Sequence, residues 1–312
     1  MTVSERGLFG SDGLRVLVLG ADGMLGHKVL QVLRGRFSIF ATFRDEHGLW
    51  TTYPTFAGMD RDHLLGGVNA LDLGSVAKAI EVVQPRAVIN CIGIVKQRED
   101  AKVAIPSILV NALFPHQLAD LCHAKGARLI HLSTDCVFSG NRGGYGEDDL
   151  PDPVDLYGRT KLLGELNRNG CLTIRTSIIG WELKQRAGLL EWFAAQRNRT
   201  IKGFRGAIYS GLSTDVLARL IGSLLESKAG LSGLYHVGSG PITKYDLLSR
   251  LREHSGWRDI IIDPDDGLRC DRSLDCTRFA AATGWQAPSW DEMIAGLAAE
   301  WPTYESWRKQ NK

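Results

Sequence analysis

The sequence predicts a doubly wound α/β fold, in which helices cover both faces of a parallel sheet, together with a smaller α/β substrate-binding lobe. Continuous apolar runs such as RVLVLG (15–20) and AVINCIGI (87–94) alternate with longer helical patterns. Strands that are apolar on both faces are typical of a parallel sheet buried between two helical layers. After residue 180 the pattern loosens into short helices and strands, which favours a smaller lobe.

The elements are predicted in chain order from their spacing and composition. Runs rich in apolar and β-branched residues predict strands at 15–20, 38–44, 68–73, 87–94, 127–135, 171–180 and 234–238. Apolar residues at helical spacing predict helices at 24–35, 74–84, 103–124, 157 to about 169, 187–198, 213–227, 243–255 and 289–301. The helix at 103–124 is predicted despite Pro106 and Pro115, and Ser289 is a candidate N-cap of the last helix.

These patterns suggest a division into three parts. Residues 1–13 are polar and glycine-containing, which indicates a flexible extension, and residues 14–180 form the nucleotide-binding domain. Residues 181–312 are mainly the substrate-binding lobe, with some segments returning to the first domain. A length of 312 residues suits a large domain and a smaller lobe.

Composition narrows the class of function. Apolar residues make up 44% of the chain, charged residues 23%, and the net charge is only +2, so we expect neither nucleic acid nor a membrane surface as a partner. No apolar run approaches the roughly 20 residues that a membrane helix needs. The six cysteines are scattered without a C-x-x-C pair, which favours reduced thiols in a cytoplasmic protein over disulfides or a zinc site. We predict no bound metal.

A glycine-rich turn follows the first predicted strand directly. Gly20, Gly23 and Gly26 have the spacing G-x-x-G-x-x-G between a strand and a helix. Glycine permits a tight turn and a close approach of backbone N–H groups to a pyrophosphate, and a helix N-terminus favours its negative charge. A glycine-rich turn without a ligand is the alternative, but the position after the first strand of a βαβ unit favours a dinucleotide and a Rossmann domain.

The end of the second strand bears on the choice of cofactor. Arg44 stands where NAD sites usually have an acidic residue, and an arginine there suits a ribose 2′-phosphate. NADP is therefore the preferred cofactor, while the adjacent Asp45 keeps NAD open. Asp72 could accept a hydrogen bond from the adenine amino group or could cap the helix that follows.

A tyrosine and a lysine are candidates for proton transfer. Tyr157 and Lys161 are four residues apart, so a helix presents both on one face. A nearby ammonium stabilises a phenolate and lowers the pKa of a tyrosine, which is ordinarily about 10. Upstream, Ser133 and Thr134 end a predicted strand, where ligands bind in open α/β sheets. The order of turn, hydroxyls and Tyr–Lys pair favours catalysis over an ordinary solvated helix face.

With these motifs the chain resembles the extended short-chain dehydrogenases/reductases. The segment LSTDCVFSG…Y…EDDLPDPVDLYGRTKLLGE (132–165) and IRTSIIG (174–180) look more narrowly like the dTDP-4-dehydrorhamnose reductase branch. The resemblance implies NADPH-dependent reduction of the 4-keto group of a nucleotide-activated deoxysugar, in the synthesis of cell-surface polysaccharide precursors. It departs from the branch at Cys136, where an aromatic residue is usual.

The resemblance also implies roles for individual residues. Tyr157 is the general acid, Thr134 orients the keto oxygen, and Lys161 holds the nicotinamide ribose and tunes the tyrosine. Asn111 either supports a proton relay or is a helix-surface amide. The predicted cofactor-binding residues are Gly20, Asp22, Gly23, Met24, Leu25, Gly26, Arg44, Asp72, Leu73, Cys91, Ile92, Gly93, Asn111 and Lys161. The predicted substrate-binding residues are Asp135, Val137, Arg205, Tyr209, Ser210 and Arg272, while Arg175 is an alternative substrate cation or a core ion-pair partner.

Two other functions remain open. One is a nucleotide-sugar epimerase that retains NAD through its cycle; a dehydratase is disfavoured because Asp135 stands without a second acid. The other is a non-catalytic dinucleotide-binding regulatory subunit, although such relatives usually lose part of the threonine–tyrosine–lysine set that this chain keeps. A homodimer is expected by resemblance alone.

Overall fold

A computed structural model describes residues 13–46, 48, 52–96, 102–184 and 186–310. The flexible extension predicted at 1–13 lies, apart from Gly13, outside the described residues. The strands of the main sheet are β1 (Arg15–Leu19), β2 (Ser38–Thr42), β3 (Leu64–Leu65), β4 (Ala87–Asn90), β5 (Arg128–Thr134), β6 (Cys171–Thr176) and β11 (Gly233–His236). The remaining strands are β7 (Ile178–Ile179), β8 (Thr200–Phe204), β9 (Ala207–Tyr209), β10 (Leu212–Ser213), β12 (Ile242–Thr243), β13 (Ile261–Asp265) and β14 (Cys270–Asp271).

The seven strands of the main sheet are all parallel and lie in the order β3-β2-β1-β4-β5-β6-β11. This order places the ends of β1, β4 and β5 side by side at one edge, where ligands of such sheets bind. The doubly wound fold class is therefore confirmed. Strand β11 comes from the second half of the chain and extends this sheet beyond β6.

Helices cover both faces of the sheet. They are α1 (Met24–Leu33), α2 (Leu73–Val83), α3 (Ala104–Ser107), α4 (Phe114–Ala124), α5 (Leu156–Leu163), α6 (Leu189–Ala194), α7 (Thr214–Ser227), α8 (Lys244–Ser255), α9 (Thr277–Thr283) and α10 (Trp290–Gln310). One apolar core includes residues of α1, α7, α8 and α10, and a second includes residues of α2 and α4 on the other face. No helix in the described part of the chain has the length and apolarity to cross a membrane.

The smaller lobe is built on two short sheets. Strand β8 pairs with β13 in parallel, and β9 lies between β12 and β14. Helix α8 packs against β8 and also against α10. The hydrogen bonds from Arg272 in the segment after β14 to the segment after β5 join this lobe to the large domain.

The structure corrects two of the predicted elements. The third strand is at Leu64–Leu65, not at 68–73, because Asp72 caps α2 by accepting hydrogen bonds from the Gly74 and Ser75 N–H groups. The helix that carries Tyr157 ends at Leu163 rather than near 169, because Gly164 lies against the backbone of another helix.

The long helix predicted at 103–124 is present, but it is not regular. Helices α3 and α4 are joined by a π-helical segment at Ile108–Leu113, and Pro115 lies in the first turn of α4. A π-helical turn shifts the side chains that follow it around the helix axis and is frequent at functional sites. At the last helix, Ser289 and Glu292 exchange side-chain to backbone hydrogen bonds, which confirms the predicted N-cap as a capping box.

Candidate active site

The turn after β1 requires glycine at two of its three glycine positions. Gly20 has φ +74°, a conformation that other L-residues rarely adopt. A Cβ atom on Gly26 would lie 2.2 Å from the Gly20 carbonyl oxygen, so no side chain fits there. Gly23 is the N-cap of α1 and its helix has no side-chain cap bond among the described residues. A tight glycine turn that leads into a helix N-terminus fits the pyrophosphate of a dinucleotide.

Contacts from distant parts of the chain hold this turn in place. The Gly20 N–H donates to Thr42 Oγ1 over 3.3 Å. His27 Nδ1 lies 2.7 Å from the Gly23 carbonyl oxygen, and Nε2 lies 2.6 Å from the Tyr304 hydroxyl. Because a carbonyl can only accept, Nδ1 carries the proton and Nε2 accepts from Tyr304. Burial lowers the pKa of His27 to about 3, which keeps the ring neutral. Sequence reasoning missed this pair.

Residues beside the turn vary in exposure. Leu25 is buried, Asp22 forms an ion pair with Lys184, and Met24 Cε lies near Gly188. Arg44 is exposed and forms no ion pair with a described residue. Asp72 is an exposed helix cap, and Leu73 begins α2 behind it. The cap role that we had left open for Asp72 is therefore present, and a contact with adenine stays a prediction.

The segment after β4 is fixed by a buried asparagine. Asn111 accepts from the Ile94 N–H and donates to the Ile94 carbonyl, both over 2.9 Å. Its amide also donates to Thr160 Oγ1 over 3.4 Å. The alternative of a helix-surface amide is wrong, because Asn111 is almost fully buried. Asn90 Oδ1 accepts from the Ile92 N–H over 3.1 Å, so hydrogen bonds at both ends hold the segment with the partly buried residues Cys91, Ile92 and Gly93.

Thr134 and Tyr157 are neighbours at the end of β5. Burial raises the pKa of the Tyr157 phenol above its ordinary value, while a hydrogen bond with the Thr134 side chain acts in the opposite direction. The Thr134 hydroxyl donates to Asp135 Oδ1 and accepts from the Cys136 N–H, each over 3.1 Å. A phenol and a hydroxyl at one place can together bind a single carbonyl oxygen.

Lys161 lies on the same helix, but its ammonium has a different partner. Nζ donates to the Leu132 carbonyl over 2.5 Å. Burial lowers the pKa of Lys161 to about 8, and the charge of Glu165 raises it in part. The expected lowering of the Tyr157 pKa by this ammonium is not found, because burial of the phenol outweighs the groups that lower it.

Two glycines, one within the Tyr157–Lys161 turn and one just after it, let α5 approach its neighbours. A Cβ on Gly158 would lie 2.2 Å from the Cys136 carbonyl oxygen. A Cβ on Gly164 would lie 2.0 Å from the Asn111 carbonyl oxygen. Asp155 caps the helix by accepting from the Gly158 N–H over 2.8 Å and pairs with Lys96 over 2.6 Å. The glycine spacing in YGRTKLLG was a signal of this fit that sequence reasoning did not use.

Three of the predicted substrate-binding residues surround this place. Asp135 is buried, and burial raises the pKa of its carboxyl while the charge of Arg272 lowers it. Arg272 donates to the carbonyls of Phe138 over 2.9 Å and Ser139 over 3.3 Å. Burial, and to a lesser extent the charge of Asp135, raise the pKa of Tyr209, whose hydroxyl is buried without a hydrogen-bond partner among the described residues.

The other predicted substrate-binding residues lie apart from this group or are occupied. Val137 is fully buried beneath the site. The Ser210 hydroxyl accepts from the Leu274 N–H over 2.8 Å, which is a structural role. Arg205 is exposed and pairs with Asp266. Arg175 is the core ion-pair partner of Glu165. Among the described residues no group of three or more His, Cys, Asp or Glu side chains could hold a metal ion.

Comparison with protein-family models identifies the family of this chain. The family described as RmlD substrate binding domain matches residues 14–301. The chain belongs to that family. A crystal structure of dTDP-4-dehydrorhamnose reductase from Bacillus anthracis in complex with NADP superposes with a TM-score of 0.75, at 21% identity over 92% of this chain and 99% of that one. At this identity the likeness concerns the fold.

The proteins that are similar to this chain in sequence have names that describe different functions. The probable low-salt glycan biosynthesis reductase Agl14 of Haloferax volcanii is 27% identical over 93% of this chain and 99% of its own length. The dTDP-4-keto-6-deoxy-D-glucose reductase of Streptomyces niveus is 32% identical over 48% of this chain. The methionine adenosyltransferase 2 subunit beta of Xenopus tropicalis is 30% identical over 54% of it. The matched part spans about half the length of these last two proteins, 46% and 47% respectively.

Proposed function

We propose that this protein reduces the 4-keto group of a deoxysugar nucleotide with NADPH, in the synthesis of cell-surface polysaccharide precursors. The observation that carries the proposal is that Thr134 ends β5 and Tyr157 lies on α5, which packs against that strand at the same sheet edge as the glycine turn. Membership of the RmlD substrate binding domain family supports it. Two reductases among the relatives, one named for glycan biosynthesis and one for a 4-keto-6-deoxyglucose nucleotide, support the substrate class.

The cofactor side of the proposal rests on the glycine turn and its surroundings. Gly20 and Gly26 let the turn after β1 pack closely, and Gly23 is the N-cap of α1, whose N-terminus suits the negative charge of a pyrophosphate. Arg44 is exposed in the segment after β2, where an arginine suits a 2′-phosphate, which favours NADP over NAD. When bound, the reduced nicotinamide supplies a hydride. NAD remains the alternative because Asp45 is adjacent.

The chain's own residues supply the rest of the chemistry. When the substrate binds, the Thr134 hydroxyl turns from Asp135 Oδ1 to donate to the keto oxygen and fixes its position. The Tyr157 Oη–H bond breaks as its proton passes to that oxygen, so the carbonyl becomes an alcohol and the phenolate regains a proton from solvent. Lys161, whose ammonium donates to the Leu132 carbonyl, is assigned to the nicotinamide ribose. The raised pKa of the buried phenol keeps Tyr157 protonated before the reaction, as a general acid must be.

The lobe side provides groups suited to a polar sugar nucleotide. The unpartnered hydroxyl of Tyr209 and the carboxyl of Asp135 can bond sugar hydroxyl groups. Arg272 is a half-buried cation beside them and suits a diphosphate. We infer roles in substrate binding for these three residues, while Val137, Ser210 and Arg205 make other contacts.

The regulatory-subunit alternative has one observation in its favour. Several methionine adenosyltransferase 2 beta subunits are 30–34% identical to about half of this chain. Such a role does not need a catalytic tyrosine, threonine and lysine, and this chain has all three. A dimer and a cytoplasmic location stay predictions.

The deciding experiment is an assay of the purified protein with NADPH and a panel of 4-keto deoxysugar nucleotides that differ in base and stereochemistry. We expect loss of NADPH absorbance and one new alcohol product with at least one of them. NADH under the same conditions is the control for cofactor choice. Binding of NADPH without reduction of any of these sugars would support the regulatory role instead.

A further inference from the structure

A row of polar side chains crosses the ends of three adjacent strands behind the catalytic residues. Ser133 on β5 is the register partner of Arg175 on β6, which is the register partner of His236 on β11. All three residues are buried. Register partners in neighbouring strands point to the same face, so their side chains lie side by side. Thr134 is the next residue after Ser133, and whatever fixes Ser133 fixes the backbone that carries Thr134.

A single carboxylate joins this row to the catalytic helix. Glu165 Oε1 accepts from Ser133 Oγ over 2.6 Å and from Arg175 Nε over 2.7 Å, while Oε2 accepts from Arg175 Nη2 over 2.7 Å. The side chains of Glu165 and Arg175 are only 7% and 5% exposed. A bidentate pair with no room for solvent holds its two backbones in one relative position.

The remaining donor of Arg175 continues the network. Nη1 lies 3.1 Å from His236 Nε2, and His236 Nδ1 lies 2.9 Å from the Tyr145 carbonyl oxygen. A guanidinium can only donate and a carbonyl oxygen can only accept, so His236 Nδ1 donates and His236 Nε2 accepts. Burial and the charge of Arg175 lower the pKa of His236 to about 4, so the ring is neutral. Arg175 is thus held on both sides and cannot turn away from Glu165.

Glu165 follows the end of α5 and also acts on the charge of Lys161. Lys161 Nζ donates to the Leu132 carbonyl and Glu165 accepts from the next residue, Ser133, so the two charges lie at neighbouring residues of β5. Burial alone favours the neutral amine, and the carboxylate of Glu165 opposes that effect. The other groups that face Lys161 are the Leu132 carbonyl and His131. Burial, and the ammonium itself, lower the pKa of His131 well below its ordinary value, so it brings no charge. Glu165 is therefore the anion that compensates this buried cation.

We propose that the Glu165–Arg175 pair is a positioning unit of the active site, which ties the end of β5 to α5 and keeps Lys161 charged where it meets the dinucleotide. The proposal rests on the proposed function, since that function assigns the nicotinamide ribose to Lys161. An ion pair that served folding alone would have no effect on the pH dependence of dinucleotide binding.

The sign of the pH effect follows from the charges. Removing the carboxylate leaves Lys161 buried without its compensating anion, so it loses its proton at a lower pH. We expect NADPH affinity of the wild type to fall as pH rises through the alkaline range. In E165Q the midpoint of that fall moves toward acid by about one pH unit, the size typical of a nearby opposite charge.

The experiment measures the dissociation constant of NADPH from neutral to alkaline pH, by fluorescence, in four variants and the wild type. E165Q leaves Arg175 buried and unpaired and can unfold the protein, so E165Q/R175M removes both charges. Both variants are expected to show the acid shift. E165D keeps the charge and is expected to restore the wild-type midpoint. E191Q disrupts the buried Glu191–Arg308 pair and is the matched control, expected to lose stability without a shift.

The outcomes separate this proposal from the proposed function. A folded E165Q/R175M protein with the wild-type midpoint would overturn the positioning unit while leaving the reductase intact. An equal shift in E191Q would likewise overturn it, because the effect would then be one of general stability. A wild type that does not bind NADPH at any pH would instead remove the proposed function.

Discussion

The two sides of the active site hold their polar groups by different means. On the catalytic side, two glycines of α5 and its C-cap lie against the backbone of neighbouring segments. Gly158 contacts the Cys136 carbonyl, and Gly164 contacts the Asn111 carbonyl. On the lobe side, Arg272 reaches across 134 residues of sequence to the Phe138 carbonyl. The first arrangement is fixed by close backbone contact, and the second by a long side chain with several rotatable bonds.

This difference indicates where the site tolerates change. Backbone contact leaves no freedom, so a catalytic group on α5 keeps its place before any ligand arrives. A side chain that crosses from a lobe can move with it, which suits recognition of a substrate that enters between them. Substitutions on the catalytic side should therefore affect turnover, and those on the lobe side should affect substrate affinity.

The largest effect is expected for Tyr157→Phe. Without its hydroxyl the ring still fills its place, but no proton donor remains, so kcat should fall by about 10²–10⁴-fold. NADPH affinity, measured by fluorescence, should stay near the wild-type value. Tyr235→Phe, on β11, is the matched control and should leave kcat unchanged. Near-normal turnover in the Tyr157 variant would show that another group donates the proton.

Gly158→Ala tests the backbone contact itself. The added methyl would lie 2.2 Å from the Cys136 carbonyl oxygen, so α5 must move away from the end of β5. We expect a loss of about 1–3 kcal/mol of stability in thermal or denaturant unfolding. Turnover should fall about 10²-fold, as misplacement by about 1 Å can cost.

The control for this variant is another helical glycine. Gly296 in α10 has no heavy atom within 4 Å of an added Cβ, so Gly296→Ala should stabilise the protein by about 0.5–1 kcal/mol. If Gly158→Ala is as stable and active as Gly296→Ala, the close contact on the catalytic side is not important.

The two arginines that were predicted to bind substrate, Arg272 and Arg205, allow an internal comparison. Arg272→Met removes a half-buried cation and its bonds to two carbonyls, so KM for the sugar nucleotide should rise about tenfold or more, with kcat less affected. Arg205→Met removes an exposed ion pair, which is typically worth 0–1 kcal/mol, and KM should change less than about twofold. Steady-state kinetics on both variants would reverse the assignment if Arg205 had the greater effect.

Local patterns predicted the parts of the site that lie close together in sequence. The glycine turn, the end of β5 and the Tyr157–Lys161 pair each occupy fewer than about ten residues, and alternation of strands and helices sets their order. The same reasoning failed at 68–73, where apolar residues suggested a strand. There Asp72 caps α2 and ends the extended segment. The apolar residues favour a strand and the aspartate favours a helix cap, and their spacing alone does not decide between the two.

Contacts between distant residues could not be predicted from one sequence. His27 and Tyr304 are 277 residues apart, and nothing in either neighbourhood indicates that they form a hydrogen bond. The direction of the Tyr157 pKa shift could not be predicted either. The Y-x-x-x-K pattern suggested a lowered pKa, but burial by neighbours from several segments raises it. For Arg175, the sequence left a substrate contact and a core ion pair as alternatives, and the structure shows the ion pair with Glu165.

The last prediction concerns Arg44, which is exposed like Arg205 but lies at the dinucleotide end of the sheet. Its guanidinium would pair with a 2′-phosphate in contact with water, where such a bond is worth about 1–2 kcal/mol. Arg44→Ala should therefore weaken NADPH about tenfold and leave NADH nearly unchanged, as measured by titration of protein fluorescence with each cofactor. NADH is the control within the same variant, because it lacks only the phosphate. Equal weakening of both cofactors would mean that Arg44 supports the turn after β1 rather than the phosphate, and that Asp45 faces the ribose.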